Sequence, residues 1–398
     1  MVPGAAFGFW GNGTMNGRWF FGAAALAIAG CAPDRATVSA VAAPDTDPVA
    51  FAATMSPGWN LGNALEAIGP GPRPRAVSQE TAWGNPRITQ DLFDAVAAAG
   101  FRSVRIPVAW QQYADDGTDR IDPAWLDRVG EVVAQARAAG LTVMLNMHWD
   151  EGWLQPTYAA QPRADAQLRA YWKQIAEHFR DADERVLFAG TNEVMVTGDY
   201  GPPTEEYCEV QNGFNRLFVE TVRATGGANA SRFLIVQGFN TNIDYTLACN
   251  AVLPADPATD RLMMEVHFYD PYELTISEDS GIWQWGAGAT DPASTKGGAN
   301  EAFADAQFAK MQRAFVDRGV PVILGEYAAM AKFEHDPDGT YRTAWNAYIT
   351  RSAVAHGLVP VYWDNGGTGN HASGVFDRTR ARIAYPDAVA AIVEAGGR

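Results

Sequence analysis

Two glutamates stand shortly after buried apolar runs of the sequence. Glu193 follows the run at 186–189, and Glu326 follows the run at 320–324. Such runs are typical of strands in a parallel sheet that is covered on both faces. Because the carboxyl ends of parallel strands meet at one edge, we expect the two carboxyl groups to lie close together. A facing pair of this kind can supply a general acid and a nucleophile or base.

Polar and aromatic side chains occupy the ends of the other predicted strands. They are amides, a guanidinium, imidazoles and aromatic rings, at Asn63, Arg105, His148, Asn192, His267, Tyr269 and Trp363. Hydrogen-bonding groups and flat ring faces around two carboxyls suit the hydrolysis of a glycosidic bond. The two histidines could instead be metal ligands, but the charge of Arg105 would oppose a cation there. We therefore predict neither a metal nor a cofactor.

A helical pattern, a glycine and a buried strand recur along the chain. The glycine is typical of the residue after a helix, which commonly adopts the left-handed conformation. Strands are predicted near residues 58–63, 102–106, 141–147, 186–192, 232–237, 261–267, 320–326 and 358–363. Eight strands alternating with helices indicate an α/β fold, a single (β/α)8 TIM barrel. A doubly wound open sheet is the alternative, but no Gly-x-Gly-x-x-Gly motif or phosphate-binding loop follows any strand.

The first 31 residues have the pattern of a signal peptide. A short basic segment precedes an apolar run at 20–30 that is too short to span a bilayer, and Met15 is a possible start. The run ends in Ile-Ala-Gly-Cys, which resembles a bacterial lipobox with Cys31 as the lipidated residue. An ordinary cleaved signal is the alternative.

Residues 32–50 are rich in alanine, proline and aspartate without periodicity, which predicts a flexible linker. Residues 51–398 then form the predicted catalytic barrel. We expect an exported protein that is periplasmic or at the cell surface, either anchored to the outer membrane by its lipid or secreted. The lipid would be its one contact with the membrane.

The net charge argues against some partners, and the cysteine content agrees with export. The net charge of −16 argues against nucleic acid and anionic membrane surfaces, which both require clustered basic residues. Cys208 and Cys249 remain once Cys31 is assigned to the lipid, and an even pair in an oxidising compartment predicts a disulfide bond. Two buried free thiols are the alternative.

The chain resembles the family 5 glycoside hydrolases, the large cellulase and mannanase family. The motifs come in the family's order and cover essentially the whole predicted barrel: Gly58-Trp59-Asn60-Leu61-Gly62-Asn63, Thr81-Ala82-Trp83-Gly84-Asn85-Pro86, Val104-Arg105-Ile106-Pro107-Val108, Asn192-Glu193, His267-Phe268-Tyr269, Gly325-Glu326-Tyr327 and Tyr362-Trp363-Asp364. Each motif alone is weak, but the set is specific.

The resemblance implies a role for each matching residue. Glu193 would be the general acid/base and Glu326 the nucleophile. The others would support them: Asn192 would bind the sugar 2-hydroxyl, Arg105 and Tyr269 would hold Glu326, His267 would lie beside Glu193, His148 would bind a sugar hydroxyl, and Trp363 would form the stacking floor. The family's retaining mechanism implies carboxyls about 5–5.5 Å apart. The guanidinium would keep the nucleophile ionised.

Tryptophans fall into two predicted classes. Those within strands or helices are assigned to the core: Trp59, Trp125, Trp172 and Trp345. Those in loops after strands are predicted to stack on sugar rings: Trp149, Trp153, Trp283 and Trp285. Asp150, in the loop after the third strand, is expected to be a polar contact at the edge of the cleft.

Together these features predict a retaining endo-β-1,4-glucanase that acts on β-glucan as a monomer. A mannanase, a xyloglucanase or a mixed-linkage glucanase of the same family would use the same catalytic groups and is an open alternative. From a different class, the chain could be a non-catalytic glycan-binding lipoprotein at the cell surface. A complete set of catalytic groups is not expected in such a binding protein.

Overall fold

The structure, a computed structural model, describes residues 47–250 and 253–397. The predicted signal peptide, with Met15 and Cys31, lies outside the described residues, as does the linker up to residue 46. These assignments therefore stay predictions. Within the two described ranges, no helix is both long enough and apolar enough to cross a membrane.

Eight parallel strands close into a barrel in sequence order, each paired with its neighbours and the last with the first. All eight predicted strands are confirmed, at β1 (Gly58–Leu61), β2 (Ser103–Ile106), β3 (Thr142–Asn146), β4 (Val186–Ala189), β5 (Leu234–Gln237), β6 (Leu262–His267), β7 (Val322–Tyr327) and β8 (Leu358–Asp364). The (β/α)8 prediction is therefore correct. A further pair, β9 (Phe376–Asp377) and β10 (Arg382–Ile383), is antiparallel and lies outside the barrel.

Helices precede the first strand, connect the strands and follow the last. Their bounds are α1 (Pro48–Ala53), α2 (Gln90–Ala98), α3 (Pro123–Ala138), α4 (Gln161–His178), α5 (Glu205–Ala224), α6 (Ile243–Ala248), α7 (Tyr272–Thr275), α8 (Glu301–Ala314), α9 (Thr340–Ala355) and α10 (Pro386–Gly396). Local sequence explains their starts. Before α3, for example, the Asp122 side chain accepts the Ala124 N–H, and Pro123 needs no amide partner in the first turn.

The helices cover the outside of the barrel, and most of the apolar core lies between them and the strands. All four tryptophans assigned to the core are fully buried there, as predicted: Trp59, Trp125, Trp172 and Trp345. Cys208 in α5 and Cys249 after α6 form the predicted disulfide bond. This bond ties two neighbouring helices on the outer layer.

Inside the barrel, the amino-terminal half is apolar and the carboxyl-terminal half is polar. Inward-facing apolar residues of the strands fill the amino-terminal half: Met144, Leu187, Ile235, Met263, Ile323, Val359 and Val361. Helix α1 packs beneath them, with the Phe51 ring stacked 4.5 Å from that of Phe233. The predicted linker therefore extends too far, because residues 48–50 belong to α1, whose first turn is capped by Asp47.

Candidate active site

The polar half of the barrel interior carries both glutamates. Strand β7 contains a register shift after Leu324, so that Gly325 is an extra residue relative to its neighbouring strands. Strict alternation would turn Glu326 toward the helices, but the extra residue directs it into the barrel. There the Glu326 side chain is 6% exposed. The bulge therefore places one catalytic candidate at the barrel mouth.

Glu193 reaches the site through an unusual backbone conformation. It has a φ of 46°, in the left-handed region that residues other than glycine rarely adopt. Its amide donates to Oε1 of Gln237, which ends β5, at 3.2 Å. A neighbouring strand thus fixes this conformation. Such local strain concentrates at functional sites.

The two carboxyl groups lie close together. An oxygen of Glu193 and an oxygen of Glu326 are no more than 4.8 Å apart. The Glu193 side chain is 38% exposed, whereas Glu326 is almost completely buried. The pair therefore has one solvent-accessible and one enclosed member, which suits groups with different chemical tasks.

Arg105, completely buried in β2, contacts several members of the site at once. Its Nη1 donates to Glu326 at 2.9 Å, its Nη2 to Oδ1 of Asn192 at 2.5 Å, and its Nε lies 2.8 Å from Oε1 of Glu265. Burial disfavours the guanidinium charge, but Glu265 and Glu326 raise the pKa of Arg105 above its ordinary value. Arg105 is therefore a fixed positive charge beside the nucleophile candidate.

His267, at the end of β6, lies between two carboxylates. Its Nδ1 is 2.7 Å from Oε1 of Glu193, and its Nε2 is 3.2 Å from Oε1 of Glu265. Burial disfavours the charged ring, but Glu326 and the two hydrogen-bonded glutamates raise the pKa of His267 to about 9. The ring is therefore an imidazolium at neutral pH and donates from both nitrogens.

Tyr269 completes the contacts of Glu326. Its hydroxyl donates to Oε2 of Glu326 at 3.0 Å. Burial and the Glu326 charge raise the pKa of Tyr269 well above its ordinary value, so the hydroxyl keeps its proton. Burial also raises the pKa of Glu326 above its ordinary value, against the opposing effects of His267 and Arg105. The predicted influence of Arg105 thus has the expected direction, but burial outweighs it.

Two pockets flank the catalytic pair. One is lined by His148, Trp149 and Trp153 together with Glu193. The other is lined by aromatic, aliphatic and polar residues: Tyr269, Thr275, Ile276, Ala328, Met330, Trp363, Asn365, His371 and Ser373. The cleft therefore extends to both sides of the reacting centre, with an aromatic ring on each side.

The aromatic rings near Glu193 differ in how far they are exposed. Trp149 is 47% exposed, and Trp153 is partly buried with its ring at 5.5 Å from that of Tyr171. The ring of His148 lies nearly parallel to that of Trp363, with centroids 5.7 Å apart. Burial, and then the charges of Arg105 and His267, hold the pKa of His148 well below its ordinary value.

Two of the four loop tryptophans are engaged in packing elsewhere. Trp285 is 4% exposed, donates from its indole to the Ala299 carbonyl and packs edge-on against Tyr348. The prediction that its indole is exposed for stacking is therefore wrong. Trp283 is partly buried and packs against Tyr341 and His335.

Two polar residues near the cleft form hydrogen bonds that hold the loops together. Asn63 has a φ of 58°, its amide donates to Glu66, and its carbonyl accepts from Asn85 at 2.8 Å. Asp150 is 1% exposed and accepts the amides of Trp110 and Gln111, so it is not the cleft-edge contact that was predicted. Burial raises the pKa of Asp150 to about 7.

Glu193, His267 and Glu326 each place a possible ligand atom within the same 4.8 Å. A metal ion there would have to displace the proton from His267, although the surrounding carboxylates favour that proton. It would also lie beside Arg105, which donates to Glu326. The donor set therefore fits a proton-transfer site better than a metal site.

Sequence reasoning missed Glu265, which lies in the middle of β6 and is 1% exposed. A signal was present, because Glu265 and His267 are two residues apart in a strand and so share a face. It also gave no role to Asn60, whose Oδ1 accepts from Arg105 at 3.1 Å while its Nδ2 donates to the Gly325 carbonyl at 2.8 Å. Asn60 thereby connects the guanidinium to the bulge of β7.

A (β/α)8 barrel with two carboxyl groups at the ends of β4 and β7, surrounded by hydrogen-bond donors and aromatic rings, defines the class of barrel glycoside hydrolases. A family model described as cellulase (glycosyl hydrolase family 5) matches residues 70–369. The chain belongs to glycosyl hydrolase family 5.

Similar proteins include endoglucanases and a xyloglucan-specific enzyme. The chain is 38% identical to endoglucanase A of Paenibacillus barcinonensis, over 86% of this chain and 88% of the relative. It is 40% identical to a xyloglucan-specific endo-beta-1,4-glucanase of Bacteroides ovatus, over 88% of this chain and 70% of the relative. A solved broad specificity endoglucanase from Bacteroides salanitronis superposes with a TM-score of 0.81 at 37% identity, covering 88% of this chain and 95% of that one.

Proposed function

We propose that the protein is a retaining endo-β-1,4-glucanase that cleaves β-glucan by double displacement. The observation that carries this proposal is the Glu193–Glu326 pair at the ends of β4 and β7, with oxygens no more than 4.8 Å apart. Retaining enzymes hold their carboxyls about 5–5.5 Å apart, whereas inverting enzymes need about 6.5–9.5 Å to admit a water molecule. The short separation supports covalent catalysis.

In the first half-reaction, Glu326 attacks the anomeric carbon as Glu193 protonates the leaving oxygen. The carbon–oxygen bond to the leaving chain breaks and a glycosyl ester forms on Glu326. Because His267 donates to Oε1 of Glu193, the proton that Glu193 transfers belongs on its other oxygen. Arg105 and the Tyr269 hydroxyl hold the two oxygens of Glu326 in the attacking position.

In the second half-reaction, Glu193 is ionised and acts as the base. It takes a proton from water, the water oxygen bonds to the anomeric carbon, and Glu326 leaves as a carboxylate. Two inversions give net retention. Glu193 suits this role because it is the more exposed member of the pair and so lies where water can reach it.

The sugar can be bound by hydrogen-bond donors that are not used within the protein and by aromatic rings that line the cleft. Arg105 takes the oxygen of Asn192, which leaves the amide NH₂ to donate to the 2-hydroxyl of the sugar being cleaved. Asn146 lies 3.1 Å from Nδ1 of His148, so that Nε2 of this neutral ring can donate to another hydroxyl. Trp363 would form the stacking floor, with Trp149 and Trp153 on the opposite side of the pair. Pockets on both sides support cleavage within a chain.

Xyloglucan is the second candidate substrate. The relative from Bacteroides ovatus is named as xyloglucan-specific and is 40% identical to this chain. Mixed-linkage glucan and mannan remain alternatives, because the same catalytic groups would serve them and the flanking pockets would decide between them.

The proposed location rests on the first 31 residues together with the disulfide bond. Export with lipidation at Cys31 would place Cys208 and Cys249 in an oxidising compartment, where their bond persists. Incorporation of labelled palmitate by the full-length protein, abolished by Cys31→Ala, is the expected result. Incorporation that survives the substitution would contradict the anchor.

The function is tested by measuring sugar release from carboxymethyl cellulose, barley β-glucan, xyloglucan, glucomannan and mannan, for wild type and Glu326→Gln. We expect activity on one or more glucans and its collapse in the variant. Proton NMR of the early products should show the β anomer first, and initial release of the α anomer would contradict retention. A folded wild type that binds a glycan but releases no sugar would instead support the non-catalytic binding protein.

A further inference from the structure

We propose that Glu265 is a positioning residue, a buried counter-ion shared by Arg105 and His267 that keeps the charges around the catalytic pair balanced in both half-reactions. This inference rests on the proposed double-displacement function. Glu265 lies outside the reacting pair and acts through its two cationic neighbours. Its role is therefore electrostatic and geometric.

The contacts of Glu265 are specific to one oxygen. Its Oε1 is 2.8 Å from Nε of Arg105 and 3.2 Å from Nε2 of His267, and its side chain is 1% exposed. Both cations then reach onward to the catalytic pair, Arg105 to Glu326 at 2.9 Å and His267 to Glu193 at 2.7 Å. One buried oxygen thus fixes the orientation of the groups that hold both catalytic carboxyls.

The surrounding structure makes room for this carboxylate. Glu265 shares the inner face of β6 with His267, and its side chain crosses toward β7 at the bulge. A Cβ at Gly325 would overlap Oε1 of Glu265. The same glycine that directs Glu326 into the barrel therefore leaves the space that the counter-ion occupies.

The charges around the catalytic pair sum to zero both before and after the first half-reaction. Before the first step, Glu193 carries a proton, and the carboxylates of Glu265 and Glu326 balance the cations of Arg105 and His267. After that step, Glu326 is a neutral ester and Glu193 is ionised, so two carboxylates again balance two cations. Without the charge of Glu265, the site would carry an excess positive charge in both states.

An excess positive charge would disfavour the reaction itself. Both half-reactions pass through an oxocarbenium-like transition state, in which the sugar becomes positive. The sugar is neutral in the bound ground state, so a lost negative charge should raise the barrier more than it weakens binding. The expected signature is a fall in kcat with little change in KM.

The state of His267 gives an independent readout. Three carboxyl groups face His267: Glu193 after β4, Glu265 in β6 and Glu326 in β7. The titratable groups beyond them are Arg105 in β2, which contacts Glu265, and the neutral His148 after β3. Because both ring nitrogens face carboxylates, a ring with both protons satisfies both contacts. A neutral ring would turn a lone pair toward one of them.

Glu265→Gln isolates the charge. The amide oxygen can stay at the Oε1 position, accept from Nε2 of His267 and remain next to Nε of Arg105, so the variant removes charge with little change in shape. We expect kcat on a cello-oligosaccharide to fall about 10- to 100-fold with KM changed less than about twofold. The pH midpoint of His267, followed by ¹⁵N NMR of the imidazoles, should fall by about 1–3 units.

The matched control is Glu80→Gln, which removes another buried carboxylate that pairs with an arginine. Glu80 is 1% exposed and lies 2.8 Å from Nε of Arg128, away from the catalytic pair. This variant should lose stability but keep both kcat and the His267 midpoint. The chain has six histidines, and His267→Gln assigns the relevant signal. A Glu265→Gln variant with wild-type kcat, or with an unchanged His267 midpoint, would overturn the proposal.

The wild-type protein provides the test if Glu265→Gln does not fold. The ¹⁵N shifts of His267 should report a doubly protonated ring at pH 7.5, and a neutral ring at that pH would overturn the counter-ion role. This NMR measurement needs no substrate. A wild type that releases no sugar from any glucan therefore refutes the proposed function, whereas the titration of His267 still decides on Glu265.

Discussion

The two halves of the barrel interior are built from the same strands but differ in polarity and in function. The amino-terminal half is filled by apolar side chains and closed by α1, whereas the carboxyl-terminal half holds buried carboxylates, a guanidinium and an imidazolium. On β6 the change takes two residues, from Met263 to Glu265. Burying charges is costly even when they are paired. We infer that the amino-terminal half (the lower half) supplies folding stability. This stability offsets the cost of burying the reactive groups of the carboxyl-terminal half (the upper half).

The largest effect is expected from removing the central cation of the upper half. Arg105→Met should lower kcat/KM about 10³-fold, because Glu326 and Asn192 lose their shared donor. It should also cost about 3–5 kcal/mol of unfolding free energy, because buried carboxylates lose their partner. Steady-state kinetics and urea unfolding measure the two losses.

Arg232→Met is the control at the other end of the barrel. Arg232 precedes β5, is 2% exposed and donates to backbone carbonyls such as those of Phe179 and Ala182. This variant should be destabilised while keeping its kcat. If both arginine variants lost activity equally, the division between the two halves would not hold.

A substitution in the lower half should produce the reverse pattern. Phe51→Ala removes the ring that stacks on Phe233 under the barrel and should cost about 3–5 kcal/mol of unfolding free energy. The kcat of the folded fraction should match wild type, because Phe51 lies at the end of the barrel opposite the catalytic pair. Denaturant unfolding and active-site titration together measure this, and a kcat loss above about tenfold would contradict it.

A smaller effect on activity is expected from a single hydroxyl. Tyr269→Phe removes the donor to Oε2 of Glu326 and should lower kcat about 10- to 100-fold with little change in Tm. Tyr327→Phe is the matched control, because the Tyr327 hydroxyl bonds Thr350 on the helical side of the barrel. That variant should lose about 1 kcal/mol of stability and keep its kcat. Equal kinetic losses in both variants would refute the distinction.

The smallest effect concerns pH. Burial raises the pKa values of Asp150 and Glu66 to about 7, above their ordinary values. Their contribution to stability is therefore full at low pH and is lost as pH rises through about 7. The pKa of Glu265 is instead lowered to about 2, so its contribution is full above the ordinary value of 4.5 and is lost as pH falls from there toward 2, below the range compared. We expect Tm to be several degrees lower at pH 8 than at pH 5.

Asp150→Asn should reduce this difference in Tm, because the amide oxygen can still accept the amides of Trp110 and Gln111 without carrying a charge. Calorimetry at the two pH values measures it. A wild-type Tm that rises between pH 5 and pH 8 would show that other groups dominate the pH dependence.

The sequence alone predicts the barrel and the catalytic pair because both depend on local patterns. Buried strands read as apolar runs, and catalytic groups follow where those runs end, as at Glu193 and Glu326. Three features depend on packing between distant segments and were not predicted. The burial of Trp285 requires Tyr348, the helix at 48–50 requires Phe233 beneath the barrel, and the counter-ion role of Glu265 requires Arg105.

Gly325 limits how an enzyme of this architecture can diversify. Any side chain at this position would displace Glu265 and disturb the bulge that aims Glu326, so one mutation would affect the nucleophile and its electrostatic support together. Apolar pocket residues such as Ile276 and Met330 carry no charge or hydrogen-bonding group, so changing them does not remove a polar contact of the catalytic pair. Substrate preference can therefore change one pocket residue at a time, whereas Gly325, Glu265 and Glu326 cannot be changed independently of one another.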